Sequence, residues 1–206
     1  MVGAKKSKLV IKIDLVKCVK DLYKMGYTSP VSGNHSIRLE DKNWMWLTPS
    51  GVPRYELKER HLVKVNLNTG KSRCTETKYR WYMYASIYKR SAKINAVVPT
   101  QSPYTLALAI SAEKFQHVIE EAKVVVGNPI IVVNNPSGSI DLANTVSKVF
   151  EESKTGEDVR AVIIRNHGVV TVGNNIHQAR AVVEALEEWA KILTISKIFD
   201  GPKYKL

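Results

Sequence analysis

The sequence predicts a mixed α/β domain, of either the α+β or the three-layer α/β kind. Short β-type runs are grouped early in the chain and then mixed with helical stretches. The 206 residues, 44% of them apolar, suit one domain with a full-sized core. No internal repeat and no low-complexity linker divides them. The whole chain, 1–206, is therefore expected to be a single domain, with 1–8 a flexible basic N-terminus.

Each element has its own signal. Residues 9–25 read as an amphipathic helix, because Leu15, Val19, Leu22 and Tyr23 recur at helical spacing and Gly26 sits where a terminating glycine belongs. A turn-rich loop, 28–34, leads into two short strands, 35–39 and 44–47, joined by the Asp41-Lys42-Asn43 turn. Thr48-Pro49-Ser50-Gly51 is a further tight turn. Residues 63–67 alternate as a strand that stops at Asn68-Thr69-Gly70. Residues 80–90 carry Trp81, Tyr84, Ala85 and Tyr88 on one helical side, and 94–100 form an apolar β run. Helices are expected over 105–110 and 114–123, and a buried strand over 130–133. Ser139 suits the N-cap of a helix over 140–153, with Asp141 at its positive end. Strands over 159–164 and 169–172 flank Arg165-Asn166-His167-Gly168. A long helix over 176–199 turns Ala179, Val182, Val183, Leu186, Trp189, Ala190 and Leu193 inward.

Composition narrows the function classes. Lys and Arg exceed Asp and Glu by 31 − 19 = 12, a bias that favours anionic partners. The basic residues are spread along the chain. They form no aromatic-interleaved tract, and neither a helix-turn-helix nor a zinc-finger pattern is present, so nucleic acid is not the expected partner. No apolar run approaches the roughly 20 residues that cross a bilayer. Lys12 and Asp14 interrupt the only apolar stretch near the N-terminus, which argues against a signal peptide. The expected location is the cytoplasm. Cys18 and Cys74, far apart and outside any C-x-x-C, read as reduced thiols.

Two glycine-punctuated turns, Ser32-Gly33-Asn34 and Thr48-Pro49-Ser50-Gly51, bear short polar side chains and expose backbone N–H groups of the kind that hold phosphate. Each alone is an ordinary turn between strands. Together with other segments they carry a resemblance. Ser32-Gly33-Asn34-His35-Ser36-Ile37-Arg38 resembles the G-N-x-S-x-R segment of the class II aldolase family, the family of fuculose-phosphate aldolase and the adducin head domain. Leu47-Thr48-Pro49-Ser50-Gly51-Val52 looks like its I-T-P-[ST]-G segment. Tyr88-Lys89-Arg90 followed by Asn95-Ala96-Val97-Val98 is similar to its Y-x-x-R-P-D-x-N-A-V-V-H-x-H tract until that tract's last positions. Asn166-His167-Gly168 through Gly173 resembles its H-G-x-x-x-x-G turn, and Ala179 through Trp189 follows its A-x-x-x-x-E-x-L-E pattern. The matching segments keep their order from about 9 to 197, with 111–135 aligning poorly.

The resemblance implies a three-layer α/β/α domain with a mostly antiparallel central sheet, a homo-oligomer with a tetramer favoured, and a site built between subunits. It also implies a chemistry: a zinc ion held by three histidines, with a glutamate moving a proton, cleaves a phosphorylated ketose. This sequence departs from that set. Pro99 and Gln101 stand where two of the histidines belong, Arg80 stands at the glutamate, and Lys78 and Tyr79 replace two serines ahead of it. His167 is the one retained ligand. Proline has no side-chain donor, glutamine is a poor zinc ligand, and guanidinium has no acceptor lone pair. His35, His61, His117 and His177 read as surface or locally satisfied histidines. The segment 117–126 holds no tyrosine that serves as the family's mobile acid.

The expected function is therefore a binder of a small anionic or phosphorylated metabolite that uses no cofactor and performs no zinc-dependent aldol cleavage. Its expected binding residues are Gly33, Asn34, Ser50, Gly51, Lys78 and Arg80. Arg80 either faces the pocket or turns outward toward Glu76. Two enzyme readings stand beside this one. The first is a metal-free lyase, epimerase or isomerase in which Arg80 stabilises an oxyanion and His167 or a tyrosine carries the proton. The second is a zinc aldolase with a rebuilt ligand set.

Overall fold

The structure, a computed structural model, describes residues 7–72, 81–111, 115–132, 136, 138–152 and 159–204. Seven strands make one sheet: β1 Ser36–Arg38, β2 Trp44–Leu47, β3 Val63–Asn66, β4 Ala96–Thr100, β5 Ile130–Val132, β6 Ala161–Ile164 and β7 Gly168–Gly173. Their spatial order is β3-β2-β1-β4-β7-β6-β5. Every neighbouring pair is antiparallel except β5 with β6. Among the described residues the α-helices are α1 Lys8–Lys24, α2 Trp81–Arg90, α3 Pro103–Ser111, α4 Glu120–Val126, α5 Ile140–Glu152 and α6 Ile176–Ser196.

The sheet is covered on both faces, and strand alternation decides which residue serves which layer. Val97, Val162, Ile164, Val170 and Val172 pack with Tyr84, Tyr88, Leu142 and Phe150 of α2 and α5. On the other face Ile37, Ala96 and Val98 meet Leu15, Val19 and Leu22 of α1 and Ala179 and Val183 of α6. Ala161, Ile163 and Val169 meet α3, α4 and the Trp189 end of α6. This is the three-layer α/β/α arrangement with a mostly antiparallel sheet.

Buried polar side chains fix several joints. Arg38 sends Nη1 to the Tyr88 carbonyl at 2.8 Å and Nη2 to the Ala92 carbonyl at 2.7 Å, so it closes the C-terminus of α2. The buried Glu187 carboxylate accepts the Tyr104 and Thr105 N–H groups, each at 2.9 Å, and the Thr105 hydroxyl at 2.7 Å. It thereby tethers α6 to the start of α3. Ser139 Oγ accepts the Leu142 N–H at 3.1 Å, which is the expected cap of α5.

Some expectations need correcting. The 130–133 strand is not a buried one: β5 lies at the sheet edge, and Ile130 is 38% exposed. A continuous apolar run looks the same at an edge and in a core. Residues 115–119 are not helical, and the helix begins at Glu120. Phe115 packs edge-on to Trp189, and Trp189 Nε1 donates to the Gln116 carbonyl at 2.8 Å. These contacts hold the segment against α6. At the N-terminus, Lys8 is already in α1 and the Ser7 hydroxyl accepts the Val10 N–H, so the helix reaches into the stretch expected to be flexible. Among the described residues, no helix is long and apolar enough to cross a membrane.

Candidate functional site

One end of the sheet gathers the predicted residues. Gly33 and Asn34 precede β1, Ser50 and Gly51 follow β2, Pro99 and Gln101 lie at and just past the end of β4, and His167 opens β7. Antiparallel pairing makes these ends coincide, because Ser36 faces Leu47 and Val97, and Thr100 faces Val169. All seven residues line one cleft of about 580 Å³, which α2 closes with Met83 and Tyr84 and α5 closes with Leu142 and Ala143, beside the capping Ser139. That size suits a small metabolite. Lys78, Arg80 and Cys74 lie outside the described residues, so the orientation expected of Arg80 has no counterpart in them. A second, shallower depression of about 640 Å³ at the other end of β1, beside Asp14 and His177, contains none of the predicted binding residues.

Close backbone approach explains two of the glycines. Gly33 has φ +73°, and a Cβ there would come within 3.0 Å of the Pro99 carbonyl oxygen. A Cβ on Gly168 would meet the Thr100 carbonyl at 2.7 Å. The same approach explains how a proline sits in a central strand. Its carbonyl faces Gly33, on the side where pairing with β1 has already ended at Val97. In a strand, a residue's nitrogen and carbonyl point the same way, so the missing N–H costs no ladder bond.

The polar wall is tied together from behind. Asn34 is buried, and its Nδ2 donates to the Thr48 carbonyl at 2.6 Å and, more weakly, toward Ser50 Oγ at 3.5 Å. The Tyr84 hydroxyl donates to the Asn34 carbonyl. The His35 N–H donates to Thr48 Oγ1 at 2.9 Å. Arg54, absent from the sequence expectations, is fully buried and donates to carbonyls of both turns. In the sequence it is one arginine among many basic residues, and neither spacing nor periodicity marks it. The contribution of α5 to the cleft was also missed, since only the folded chain brings 138–143 to the strand ends.

The histidines divide. His167 is half-buried in the cleft wall, and burial lowers its pKa below the usual value, so it is neutral at neutral pH. His61 accepts the Lys58 N–H through Nδ1 at 3.2 Å, and exposed His177 lies 3.5 Å from Asp14, as a surface reading expects. His35 corrects that reading. It is completely buried before a strand covered on both faces, and neither ring nitrogen has a hydrogen-bond partner among the described residues. Burial first, then the Arg54 charge, brings its pKa to about 3, with the Gly33 backbone pulling slightly the other way. His117 leans on Trp189 at 5.0 Å, away from the cleft, and its buried Nδ1 also has no partner among the described residues.

The donors that the described residues offer do not fit zinc. Of the three positions that the resemblance assigns to histidines, one side chain is an imidazole, one is a proline and one is an amide. The Gln101 Oε1 is turned toward the Ser29 N–H at 3.5 Å. Among the described residues, no group of three His, Cys, Asp or Glu is placed to hold a metal ion. The described lining residues also include no carboxylate.

Comparison with known proteins places the chain. The model of the Class II Aldolase and Adducin N-terminal domain family matches residues 13–194. An L-fuculose phosphate aldolase of Methanococcus maripaludis strain C7 is 34% identical over 180 residues, covering 87% of this chain and 94% of the relative. A 5-deoxy-D-ribulose 1-phosphate aldolase of Bacillus thuringiensis serovar kurstaki is 30% identical over 192 residues, with 92% and 87% covered. A solved L-fuculose 1-phosphate aldolase superposes with a TM-score of 0.82 at 28% identity, over 99% of this chain and 93% of that one. With these segments in order on the same architecture, the chain belongs to the class II aldolase and adducin N-terminal domain family.

Proposed function

We propose that this protein binds a small anionic or phosphorylated metabolite in the strand-end cleft and does not carry out zinc-dependent aldol cleavage. One observation carries the reading. The cleft brings together Gly33, Asn34, Ser50 and Gly51, which this reading assigns to the anion, with Pro99, Gln101 and His167. Donors that suit phosphate lie in the cleft, and among the described residues no group of His, Cys, Asp or Glu is placed to hold a divalent metal. Lys78 and Arg80 belong to the proposal as cations that add attraction for the ligand. Relatives named for sugar-phosphate aldolase activity support a sugar phosphate as the ligand class. The protein works as a homotetramer in this reading, in which neighbouring subunits complete the site.

A metal-independent lyase, epimerase or isomerase is the second reading, favoured by His167. A neutral imidazole in the cleft wall is able to accept a proton at neutral pH. Elemental analysis and turnover on the species sized by light scattering separate these readings. The expected outcome is four chains per particle, far less than one zinc per chain, and no cleavage of L-fuculose 1-phosphate. One zinc per chain that disappears in His167→Ala, together with cleavage, overturns the proposal. Turnover of a sugar phosphate without metal favours the second reading. A monomer removes the tetramer.

A further inference from the structure

Arg54 has an unusual position for an arginine. It lies in the short turn Arg54–Glu56 just after the Ser50-Gly51 turn, and it is 0% exposed. Its Nη2 donates to the Gly33 carbonyl at 2.7 Å and to the Val31 and Ser32 carbonyls at 3.1 and 3.2 Å. Its Nη1 donates to the Pro49 carbonyl at 3.2 Å, and Nε to the Ser32 carbonyl at 3.3 Å. One planar fork therefore holds both turns of the cleft.

Peptide planarity converts those bonds into directions. In a trans peptide a carbonyl and the following N–H point opposite ways, and no cis peptide occurs among the described residues. The Ser32, Gly33 and Pro49 carbonyls are drawn toward Arg54, so the N–H groups of Gly33, Asn34 and Ser50 point away from it. Those three residues line the cleft, and Arg54 does not. None of the three N–H groups has a hydrogen-bond partner among the described residues. Donors in so enclosed a wall need a partner from water or a ligand.

We propose that Arg54 is the positioning residue of an anion site, drawing the carbonyls back so that the Gly33, Asn34 and Ser50 N–H groups meet the oxygens of a phosphate. The inference rests on the anion-binding reading above and adds how the site is built. Lysine keeps the charge but has no planar fork, and a single ammonium does not hold both turns in register.

The test is inorganic phosphate titrated into the full chain while its backbone amide resonances are followed. In the parent protein the Gly33, Asn34 and Ser50 amides move with saturable shifts. In Arg54→Lys the phosphate Kd rises about tenfold or more. Phosphate that binds the parent without moving those amides overturns the Arg54 proposal and leaves the binding reading standing. So does a folded Arg54→Lys that melts earlier but binds with an unchanged Kd, since that is a structural role only. Absence of phosphate binding to the parent overturns both. Should Arg54→Lys fail to fold, the parent's amide shifts decide alone.

Discussion

At the scale of single residues, the cleft is explained by what its polar atoms lack as much as by what they bond. His35, just behind the cleft wall, shows this best, because it is buried with no ring partner among the described residues and its pKa is brought to about 3 against an ordinary 6.5. The sign of the linkage follows. The folded protein keeps His35 neutral while the unfolded chain takes up a proton near pH 6.5, so its stabilising contribution is whole above 6.5 and is lost as pH falls toward 3. One proton gives a slope of about 1.4 kcal/mol per pH unit. Half-buried His167 adds to the slope with the same sign, and Asp21, held low mainly by Lys17, acts at lower pH. Denaturant unfolding between pH 6.5 and 5 should show this slope in the parent and a flatter line in His35→Phe. Because phenylalanine removes two buried nitrogens that have no partner among the described residues, that variant should be at least as stable as the parent at pH 7. An unchanged slope rejects the assignment. That Gly33, Asn34, Ser50, Gly51, Pro99, Gln101 and His167 meet at one cleft was legible in the sequence, because each stands at a segment that keeps its order. Arg54 and the burial of His35 were not, since both arise where turns distant along the chain meet.

At the scale of elements, the central sheet was the most legible part. β4, β6 and β7 are apolar along their length because each feeds two helix layers, whereas 63–67 alternates because Val63, Val65 and Leu67 join one core and Lys64 is exposed. The misread segments lie at the periphery. β5 has a core-like composition at an edge, and 115–119 is held out of the helix by contacts to Trp189 rather than by local preference. Glu187 shows that a residue within a helix pattern carries a second, tertiary duty. The A-x-x-x-x-E-x-L-E spacing placed it on α6, but only the fold shows its carboxylate tethering α3. Glu187→Ala strips three bonds from a buried charge-bearing cap. It should lower the unfolding free energy by about 1.5–3 kcal/mol. Denaturant melts at constant pH check this, and a change below about 0.5 kcal/mol, the range of an ordinary surface substitution, contradicts it.

At the scale of the whole molecule, antiparallel pairing puts the ends of β1, β2, β4 and β7 together, and α2 and α5, both on one face of the sheet, turn that junction into a cleft. The net charge of +12 surrounds it with a field that favours anions. Family membership supplies the architecture, whereas the cleft's side chains decide the chemistry. Here that chemistry is read as anion binding independent of a divalent metal. The most direct measurement is a calorimetric titration of inorganic phosphate into chelator-treated protein, repeated with zinc added back. The account predicts saturable binding at one site per chain, with the same Kd in both runs. Binding that appears only when zinc is restored contradicts it.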